Sequence, residues 1–451
     1  MMHKVAYLLS LIVFLCYAEW IQTSPLLNNH IGHVAINLEN GNVLVIGGDG
    51  VTKCQIYDDA TEIWSYTDDL NIGRKAHAAV LLQDGRVLVI GGGYPYNPGF
   101  GYCELYDTTT GTWTITDSLH AARNWVRAVV LDDGRVIVVG GLDVMTPIAE
   151  CEIFDPVTET WSLTSQPPDP RWGNDLCLLE DGRVLTVGGY TDFGSNTPAD
   201  CQIFDPVTET WTPTDSLNIG RWCVTVVRLE SGKVLAVGGR DASGNYIPQS
   251  EEYDPNIGLW TITGSISPGR YYHTCTKLQD RRVMLIGGTS SGGQLSDCEL
   301  YEPYTGLWVD TDNLIPGRQQ HTATLLENGD VLVTGGNPAS TDCQLFDPPP
   351  VGVFEQKAEK LFSELTVMPN PFTLKTNIRY SLNKATILAL GVYDVTGKLV
   401  RTLANKIESP GTHTITWYGD NGDCGRLPAG IYFLELKAGN YSATRKVLLA
   451  K

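Results

Sequence analysis

Six arginines recur along the chain, each seventeen residues before a Gly-Gly doublet. They are Arg74, Arg123, Arg171, Arg221, Arg270 and Arg318, with His30 at the same place before the first doublet. Guanidinium groups bind carboxylate, sulfate or phosphate through two parallel hydrogen bonds. Six of them around one opening would form an anion-binding ring, and we predict ligand binding there. The alternative is that each arginine serves its own repeat by bonding loop carbonyls or a nearby Asp.

The two positions after each arginine differ between copies and hold aromatic residues in four consecutive copies. These aromatic residues are Trp125, Trp172, Trp222, Tyr271 and Tyr272. Aromatic faces beside cations suit sugars, peptides or anionic glycans. Packing between neighbouring repeats is the competing interpretation. We predict that these side chains bind a glycan or a protein ligand.

The doublets themselves mark a repeat, with spacings of 44 to 50 residues from Gly47 to Gly335. Each copy holds four short β-rich runs between Gly, Asp and Pro turns, such as RVLVIGG (86–92). One such sheet cannot bury both faces alone, but seven stacked radially can. Recurrence at this period decides the fold before other features. The sequence therefore predicts an all-β chain built on a seven-bladed propeller.

A tryptophan stands 27 residues before every doublet, beginning with Trp20. The last copy has its third strand, CQLFDP (343–348), but no tryptophan follows it. We therefore expect the strand at Trp20 to complete the seventh blade, which removes exposed sheet edges. The propeller is predicted to span residues 19–347.

The doublet, the Tyr/Phe-Asp pair as in CQIYD (54–58) and the spaced tryptophan resemble the kelch family over roughly residues 19–350. The resemblance implies a kelch-type seven-bladed propeller. It implies no single function, because kelch propellers include protein-binding modules and some enzymes.

The face of the propeller that carries the loops after the doublets, together with the arginine segments, is called the variable-loop face. Its loops differ between copies, as in GYPYNPGFGY (93–102), YTDFGSNTPAD (190–200) and RDASGNYIPQS (240–250). The loops of the opposite face are short and uniform. Variable loops on a rigid scaffold are the usual place for binding, so we expect the ligand on the variable-loop face.

The N-terminus has the pattern of an export signal. A short basic start precedes the apolar run VAYLLSLIVFLC (5–16), and small residues stand before a cut after Ala18. The run is shorter than the about 20 residues that span a membrane. We predict a signal peptide over 1–18, no transmembrane helix and an extracellular or cell-surface location. A lipoprotein signal, with Cys16 bearing the lipid, is the alternative.

The C-terminal part departs from the repeat. Residues 348–363 predict a linker, and alternating apolar runs over 364–451 predict a small Ig-like β-sandwich. The order PNPF, VYDVTGKLVRTL, PGTHTITW, PAGIYF and KVLLAK resembles the C-terminal sorting domain of bacterial type IX secretion. The resemblance implies the secretion machinery as a partner, and often removal of the domain. A plain adhesive sandwich is the alternative.

The formal net charge is −19, although the chain from Leu365 onward has 11 Lys and Arg against 5 Asp and Glu. The acidic excess therefore belongs to the propeller. Non-specific nucleic-acid binding depends on a basic surface, so no nucleic-acid partner is expected.

No catalytic residue, metal site or cofactor is predicted, because the sequence has no HExxH motif and no isolated carboxylate pair beyond turn residues. One enzyme hypothesis rests on Cys223 and Tyr272, which stand fifteen residues before their doublets in adjacent copies. This resembles the Cys–Tyr pairing of the copper-radical oxidases, galactose oxidase among them. The resemblance departs at the metal ligands, because Gln320 replaces the Tyr expected before His321. His413 is the one C-terminal histidine candidate, and it lies inside the sorting-domain pattern.

Two further residue types recur at fixed repeat positions. His33, His77, His273 and His321 share one position, which favours a structural role over a zinc site. Cys54, Cys103, Cys151, Cys201, Cys298 and Cys343 share another. Equivalent strands of separate blades lie too far apart for disulfides, so these cysteines are predicted to be small buried residues.

Taken together, the sequence predicts an exported propeller that binds a glycan or a protein on its variable-loop face without catalysis. A secreted carbohydrate-active enzyme or a copper-radical oxidase is the second hypothesis. A structural spacer in a surface layer is the third.

Overall fold

The computed structural model describes residues 19–93, 98–191, 197–349, 362–382, 386–395, 398–409, 411–422, 425–438 and 441–450. The predicted signal peptide and most of the predicted linker lie outside these residues. The chain divides into two compact units, Met1–Phe354 and Glu355–Lys451. All regular elements in the described part are strands. Within it, therefore, no helix has the length and apolar character needed to cross a membrane.

The first unit contains seven four-stranded antiparallel sheets, called blades 1 to 7 in chain order. The first strand among the described residues is β1 (Glu19–Gln22). Blade 1 follows with β2 (Val34–Asn37), β3 (Val43–Ile46), β4 (Cys54–Asp58) and β5 (Ile63–Tyr66). Blade 2 has β6 (Ala78–Leu81), β7 (Val87–Ile90), β8 (Cys103–Asp107) and β9 (Thr112–Ile115). Blade 3 has β10 (Arg127–Val130), β11 (Val136–Val139), β14 (Cys151–Asp155) and β15 (Thr160–Thr164), and its loop holds the hairpin β12 (Leu142–Asp143) and β13 (Thr146–Pro147).

The remaining blades repeat this order. Blade 4 has β16 (Trp172–Leu178), β17 (Val184–Tyr190), β18 (Cys201–Asp205) and β19 (Thr210–Thr214). Blade 5 has β20 (Thr225–Arg228), β21 (Val234–Val237), β22 (Gln249–Asp254) and β23 (Leu259–Ser265). Blade 6 has β24 (Thr274–Lys277), β25 (Val283–Ile286), β28 (Cys298–Glu302) and β29 (Leu307–Asp310), with the loop hairpin β26 (Thr289–Ser290) and β27 (Gly293–Gln294). Blade 7 has β30 (Thr322–Leu325), β31 (Val331–Thr334) and β32 (Gln344–Asp347).

Strand β1 closes the ring. β1 pairs antiparallel with β32, which places Trp20 opposite Phe346 with ring centroids 5.0 Å apart. Trp20 Nε1 also donates to the Asp312 carbonyl of blade 6 at 2.8 Å. In the other six blades the equivalent tryptophan packs on a Tyr or Phe of the third strand at 4.8 to 5.2 Å. The seventh blade is thus assembled from both ends of the propeller sequence.

The hydrophobic core lies between blades. The second strand is buried along its whole length in six blades, and in blade 4 only its last residue, Tyr190, is partly exposed. A neighbouring sheet covers each face of these strands. One cluster joins Leu44 and Ile46 of blade 1 to Val87 and Val89 of blade 2. The six cysteines at the shared repeat position are buried and free. The prediction of an all-β chain with a seven-bladed propeller is confirmed.

The second unit contains two antiparallel sheets around one core. The first sheet has β33 (Phe362–Met368), β34 (Thr376–Leu382) and β37 (Gly411–Trp417). The second has β35 (Thr386–Tyr393), β36 (Leu399–Glu408), β38 (Gly430–Ala438) and β39 (Tyr441–Leu449). Trp417 is fully buried between them, in contact with Phe372 and Tyr432. Alternating apolar residues, as in β34, supply this core.

Candidate functional site

The repeated arginines are buried, and each one links parts of its own blade. In blade 2, Arg74 Nη1 donates to the carbonyls of Gly91 at 2.7 Å and Tyr102 at 2.8 Å. Its Nη2 donates to Glu104 Oε1 at 2.6 Å, and both side chains are fully buried. Glu104 also accepts hydrogen bonds from the backbone amide groups of Asn71 and Ile72. The ion pair therefore joins the doublet, the start of the third strand and the arginine segment.

The same arginines also connect neighbouring blades through their carbonyl groups. The second glycine of each doublet donates to the carbonyl of the arginine in the next blade, as Gly92 does to Arg123 at 2.9 Å. In the last link, the amide of Gly336 in blade 7 donates to the His30 carbonyl in blade 1 at 2.8 Å. A Cβ on Gly91 would lie 2.7 Å from the Arg123 carbonyl oxygen. Close approach between blades thus requires the doublet.

The buried Arg–Glu pair of blade 2 recurs in three blades and is replaced in the other three. Blades 3, 5 and 6 repeat the Arg–Glu pair with Glu152, Glu251 and Glu299. Blade 4 pairs Arg171 with Asp200 instead. In blade 7 the Glu position holds Gln344, and Arg318 Nη2 is buried without a hydrogen-bond partner among the described residues. In blade 1 the pair is His30 with Gln55, whose nitrogens lie 2.6 Å apart.

These contacts correct the prediction that the six arginines bind a ligand. Each side chain is at most 5% exposed. Carbonyl oxygens of its own blade accept hydrogen bonds from every one of these guanidinium groups, and a carboxylate is also paired with each except Arg318. The arginines hold the blades together, as the alternative interpretation proposes. Their recurrence reflects a need that every blade shares.

The five predicted aromatic side chains come together on the variable-loop face. They join Tyr190 and Tyr246 in one group, the aromatic cluster, with neighbouring ring centroids 4.2 to 6.3 Å apart. Arg240 lies over three of its rings, 5.1 to 5.9 Å from the centroids of Trp222, Tyr246 and Tyr271. Such distances allow cation–π attraction.

Backbone pairing explains this gathering. The residue after each arginine pairs with the residue that follows the doublet, as Trp222 does with Arg240 and Tyr271 with Thr289. Trp172 pairs in the same way with Tyr190. Opposite residues of an antiparallel pair hold their side chains side by side. The sequence signal for Tyr190, Arg240 and Tyr246 was their place in the variable loops, but spacing alone did not single them out.

The second residue after each arginine, and after His30 in blade 1, adopts a left-handed backbone conformation. These seven residues lie around the central opening. Their φ angles lie between 51° and 67°. Glycine fills this position in two blades, as Gly32 and Gly173, but Trp125, Cys223 and Tyr272 fill it in three others. A bulky residue in this conformation costs roughly 1–3 kcal/mol and often marks a functional site. Backbone hydrogen bonds link consecutive members, as from Trp125 N to the Ala76 carbonyl at 2.8 Å.

Trp125 and Tyr272 face each other across this opening and form the wall of a pocket. Their rings are stacked, with centroids 5.7 Å apart and planes 19° apart. The pocket beside them, called the central pocket, has a volume of about 240 Å³. Its charged lining residues are Lys75 and Arg127, and Gln320 also lines it.

Four histidines line the central pocket: His33, His77, His273 and His321. They belong to four blades that are consecutive around the ring. Each packs against the first glycine of the preceding blade, and His321 Nε2 also lies 3.1 Å from Thr274 Oγ1 of that blade. Burial lowers the pKa of His77, His273 and His321 to about 3, so these imidazoles are neutral at physiological pH.

The residues do not fit a copper centre, although one feature of the oxidase hypothesis is present. The Cys223 thiol lies within hydrogen-bond reach of the Tyr272 side chain. However, the described residues contain no group of three His, Cys, Asp or Glu side chains that could hold a metal ion. Gln320 occupies the expected Tyr position, and His413 contacts Glu408 and Ser409 of its own unit.

Comparisons with known proteins identify both parts of the chain. Residues 32–220 match the KLHDC2/KLHL20/DRC7 Kelch-repeats domain. Residues 366–450 match the secretion system C-terminal sorting domain. No functionally curated protein shows a significant sequence match.

Two solved structures share the fold at low sequence identity. One is described as a novel fungal alcohol oxidase with catalytic diversity among the AA5 family, in complex with copper. It is 16% identical, with a TM-score of 0.61 over 96% of this chain and 100% of that one. The other is the structure of YjhT, 15% identical, with a TM-score of 0.53 over 64% of this chain and 99% of that one.

The sorting domain directs the protein to the cell surface or the extracellular space, and the secretion machinery is its partner. The repeat match lies within the seven-bladed unit. The chain therefore contains a kelch-repeat domain, matched over residues 32–220, and a type IX C-terminal sorting domain, matched over residues 366–450.

Proposed function

We propose that this exported propeller binds a glycan, without catalysis, through the aromatic cluster and the central pocket. The observation that carries the proposal is the left-handed conformation of Trp125 and Tyr272. Two other blades place glycine there, so the fold has no need of a large side chain at this position. The energetic cost of both aromatic residues is explained if their rings contact a ligand.

The surroundings of the two residues support a sugar. Aromatic rings provide rigid apolar faces with little loss of conformational freedom. Lys75, Arg127 and Gln320 offer polar groups in the same pocket, which is the usual composition of a small-molecule site. A surface-layer spacer would also have paired arginines, but it would have no use for a pocket with aromatic walls.

The test is a glycan-array screen of the mature chain, residues 19–451, with two variants of the left-handed position. Trp125→Gly removes the ring and relaxes the backbone, so we expect stability within about 1 kcal/mol of the parent because the two effects oppose each other. We expect at least tenfold weaker glycan binding. Ala76→Gly makes the same backbone change without removing a ring and should leave binding intact.

Equal binding by the parent and Trp125→Gly would contradict the proposed site. No glycan binding by the parent would contradict the proposed function and would favour a protein ligand or a spacer. Both outcomes are read against unfolding curves of the same samples.

One observation still favours the oxidase hypothesis as a second candidate, although the described residues do not fit a copper centre: Cys223 and Tyr272 are adjacent. Intact-mass measurement decides it, since a thioether between the two side chains removes two hydrogens, a loss of about 2 Da. Metal analysis of the purified chain is the companion measurement. The unmodified mass with no bound copper would exclude this candidate.

A further inference from the structure

We propose that the central pocket selects a sugar whose ring bears a carboxylate, of the uronic acid type. This inference rests on the proposed glycan binding and adds the class of sugar. It is argued from the charges of the residues that line the pocket, from one guanidinium edge without a protein partner among the described residues, and from the stacked aromatic rings of the pocket wall.

The lining of the central pocket is basic although the propeller is acidic. Lys75 and Arg127 are its charged residues at neutral pH, and no carboxylate lines it. The buried histidines stay neutral and add no charge. A carboxylate entering this pocket therefore meets two cations and no anion in the lining.

Arg127 presents one edge of its guanidinium without a protein partner. Its Nε lies 3.3 Å from Asp175 Oδ1, and its Nη1 donates to the Val126 carbonyl at 3.3 Å. No partner for Nη2 is found among the described residues, and the side chain is 36% exposed. Arg127 is also unique at its repeat position. The other six blades carry Val34, Ala78, Asp175, Thr225, Thr274 and Thr322 there.

Lys75 has a partner that a ligand can replace. Its ammonium lies 3.4 Å from Asp49 Oδ1, and Asp49 is 57% exposed at the rim. Exposed pairs of this kind contribute little to stability, about 0–1 kcal/mol. A ligand carboxylate held between Lys75 and Arg127 would gain charge-assisted hydrogen bonds in a less solvated place.

The size and wall of the pocket favour a single ring. Its volume of about 240 Å³ is below the roughly 300–1,000 Å³ of sites for drug-sized ligands. Trp125 supplies an aromatic face on which the apolar face of a sugar ring can lie. A carboxylate on that ring reaches the cations while its hydroxyls face Gln320. The same carboxylate on a peptide C-terminus would leave the aromatic wall without a ring to contact.

Calorimetric titration of the mature chain tests the proposal with galacturonate and glucuronate against galactose and glucose. We expect the acidic sugars to bind at least tenfold more tightly. Lys75→Gln should weaken only the acidic sugars, by about fivefold or more. Asp49→Asn removes the competing carboxylate and should strengthen their binding about twofold or more. Lys53→Gln breaks an exposed pair with Asp69 of similar kind elsewhere on blade 1 and should change nothing.

The results that would contradict the carboxylate preference can be distinguished from those that would contradict glycan binding. Equal affinity for acidic and neutral sugars, or an unchanged ratio in Lys75→Gln, overturns the carboxylate preference and leaves glycan binding standing. Tighter binding of an N-acetylated dipeptide with a free C-terminus overturns it in favour of peptides. No binding of any sugar overturns this inference, and a silent glycan array would then show that the proposed function has failed too.

Discussion

Arg74 and Trp125 belong to adjacent blades, yet the two side chains have opposite roles. The guanidinium of Arg74 is fully buried and makes its hydrogen bonds inside blade 2. The indole of Trp125 forms part of the wall of the central pocket, on a backbone that glycine would fill with less strain. Residues that repeat in every blade stabilise the propeller, and residues that break the repeat are candidates for binding.

The arginine of blade 7 tests whether the residues that repeat in every blade stabilise the propeller. Arg318 lacks the carboxylate that four sister blades supply, because Gln344 stands at that position. We predict that Gln344→Glu raises the free energy of unfolding by about 1 kcal/mol. The new charge-assisted bond to Arg318 Nη2 contributes about 1.5–3 kcal/mol, and the lost amide bond to the Ile315 carbonyl offsets part of it. Urea unfolding at pH 7 measures the change.

Blade 1 provides the control for that substitution. Its position holds Gln55 beside the buried His30 instead of an arginine. Gln55→Glu should therefore destabilise the protein, by several kcal/mol if the carboxylate stays ionised and unpaired. The double variant His30→Arg/Gln55→Glu should recover much of the loss. Equal effects of the two Glu substitutions would contradict the pairing rule.

At the scale of the blade, the contacts between neighbouring sheets contain groups that titrate. His77 of blade 2 packs against Gly47 of blade 1, and burial lowers its pKa to about 3. His273 and His321 make the same contact in blades 6 and 7 with the same pKa shift. Because a histidine in the unfolded chain has a pKa near 6.5, protons bind the unfolded state first as the pH falls.

We predict that the free energy of unfolding decreases as the pH falls from about 6.5 towards 3. Each of the three histidines adds a slope of up to about 1.4 kcal/mol per pH unit. His77→Val removes one of these titrating groups, so the slope of the unfolding free energy against pH should fall by the contribution of about one proton. Valine is the residue at this position in blades 3 and 5, so the variant should fold and should be more stable than the parent at pH 5. Urea unfolding at pH 8 and pH 5 measures both effects. A slope that His77→Val leaves unchanged would contradict the prediction.

At the scale of the blade, the sequence predicts the strands and their closure, but it does not predict the contacts between side chains of different blades. The constant distance from Trp20 to its doublet predicted a closing strand, and β1 pairs with β32. The role of the arginines could not be decided in advance, because a guanidinium suits both a ligand and a buried carboxylate. The contact of Arg240 with the aromatic rings depends on the pairing of residues across the doublet, which spacing along one strand does not reveal. Tertiary neighbours from different blades decide which residues line the pocket.

At the scale of the whole molecule, the chain joins an acidic propeller unit to a basic sorting unit, and we propose that binding and delivery are their separate tasks. The two units have separate cores, one between the blades and one around Trp417. Separate cores allow each unit to fold independently of the other. Delivery and binding can therefore be tested apart from each other.

We predict that residues 362–451 suffice to deliver a folded cargo in a bacterium with type IX secretion. A reporter with a signal peptide and this C-terminal segment should reach the cell surface or the medium, while the reporter with the signal peptide alone should stay in the periplasm. Trp417→Asp places a charge in the core of the sorting unit, where Trp417 is fully buried, so it should abolish delivery. The same substitution in the complete chain should leave the thermal unfolding of the propeller and its glycan binding unchanged. Delivery of the reporter without the segment, or loss of glycan binding in the Trp417→Asp chain, would show that the two tasks are not separate.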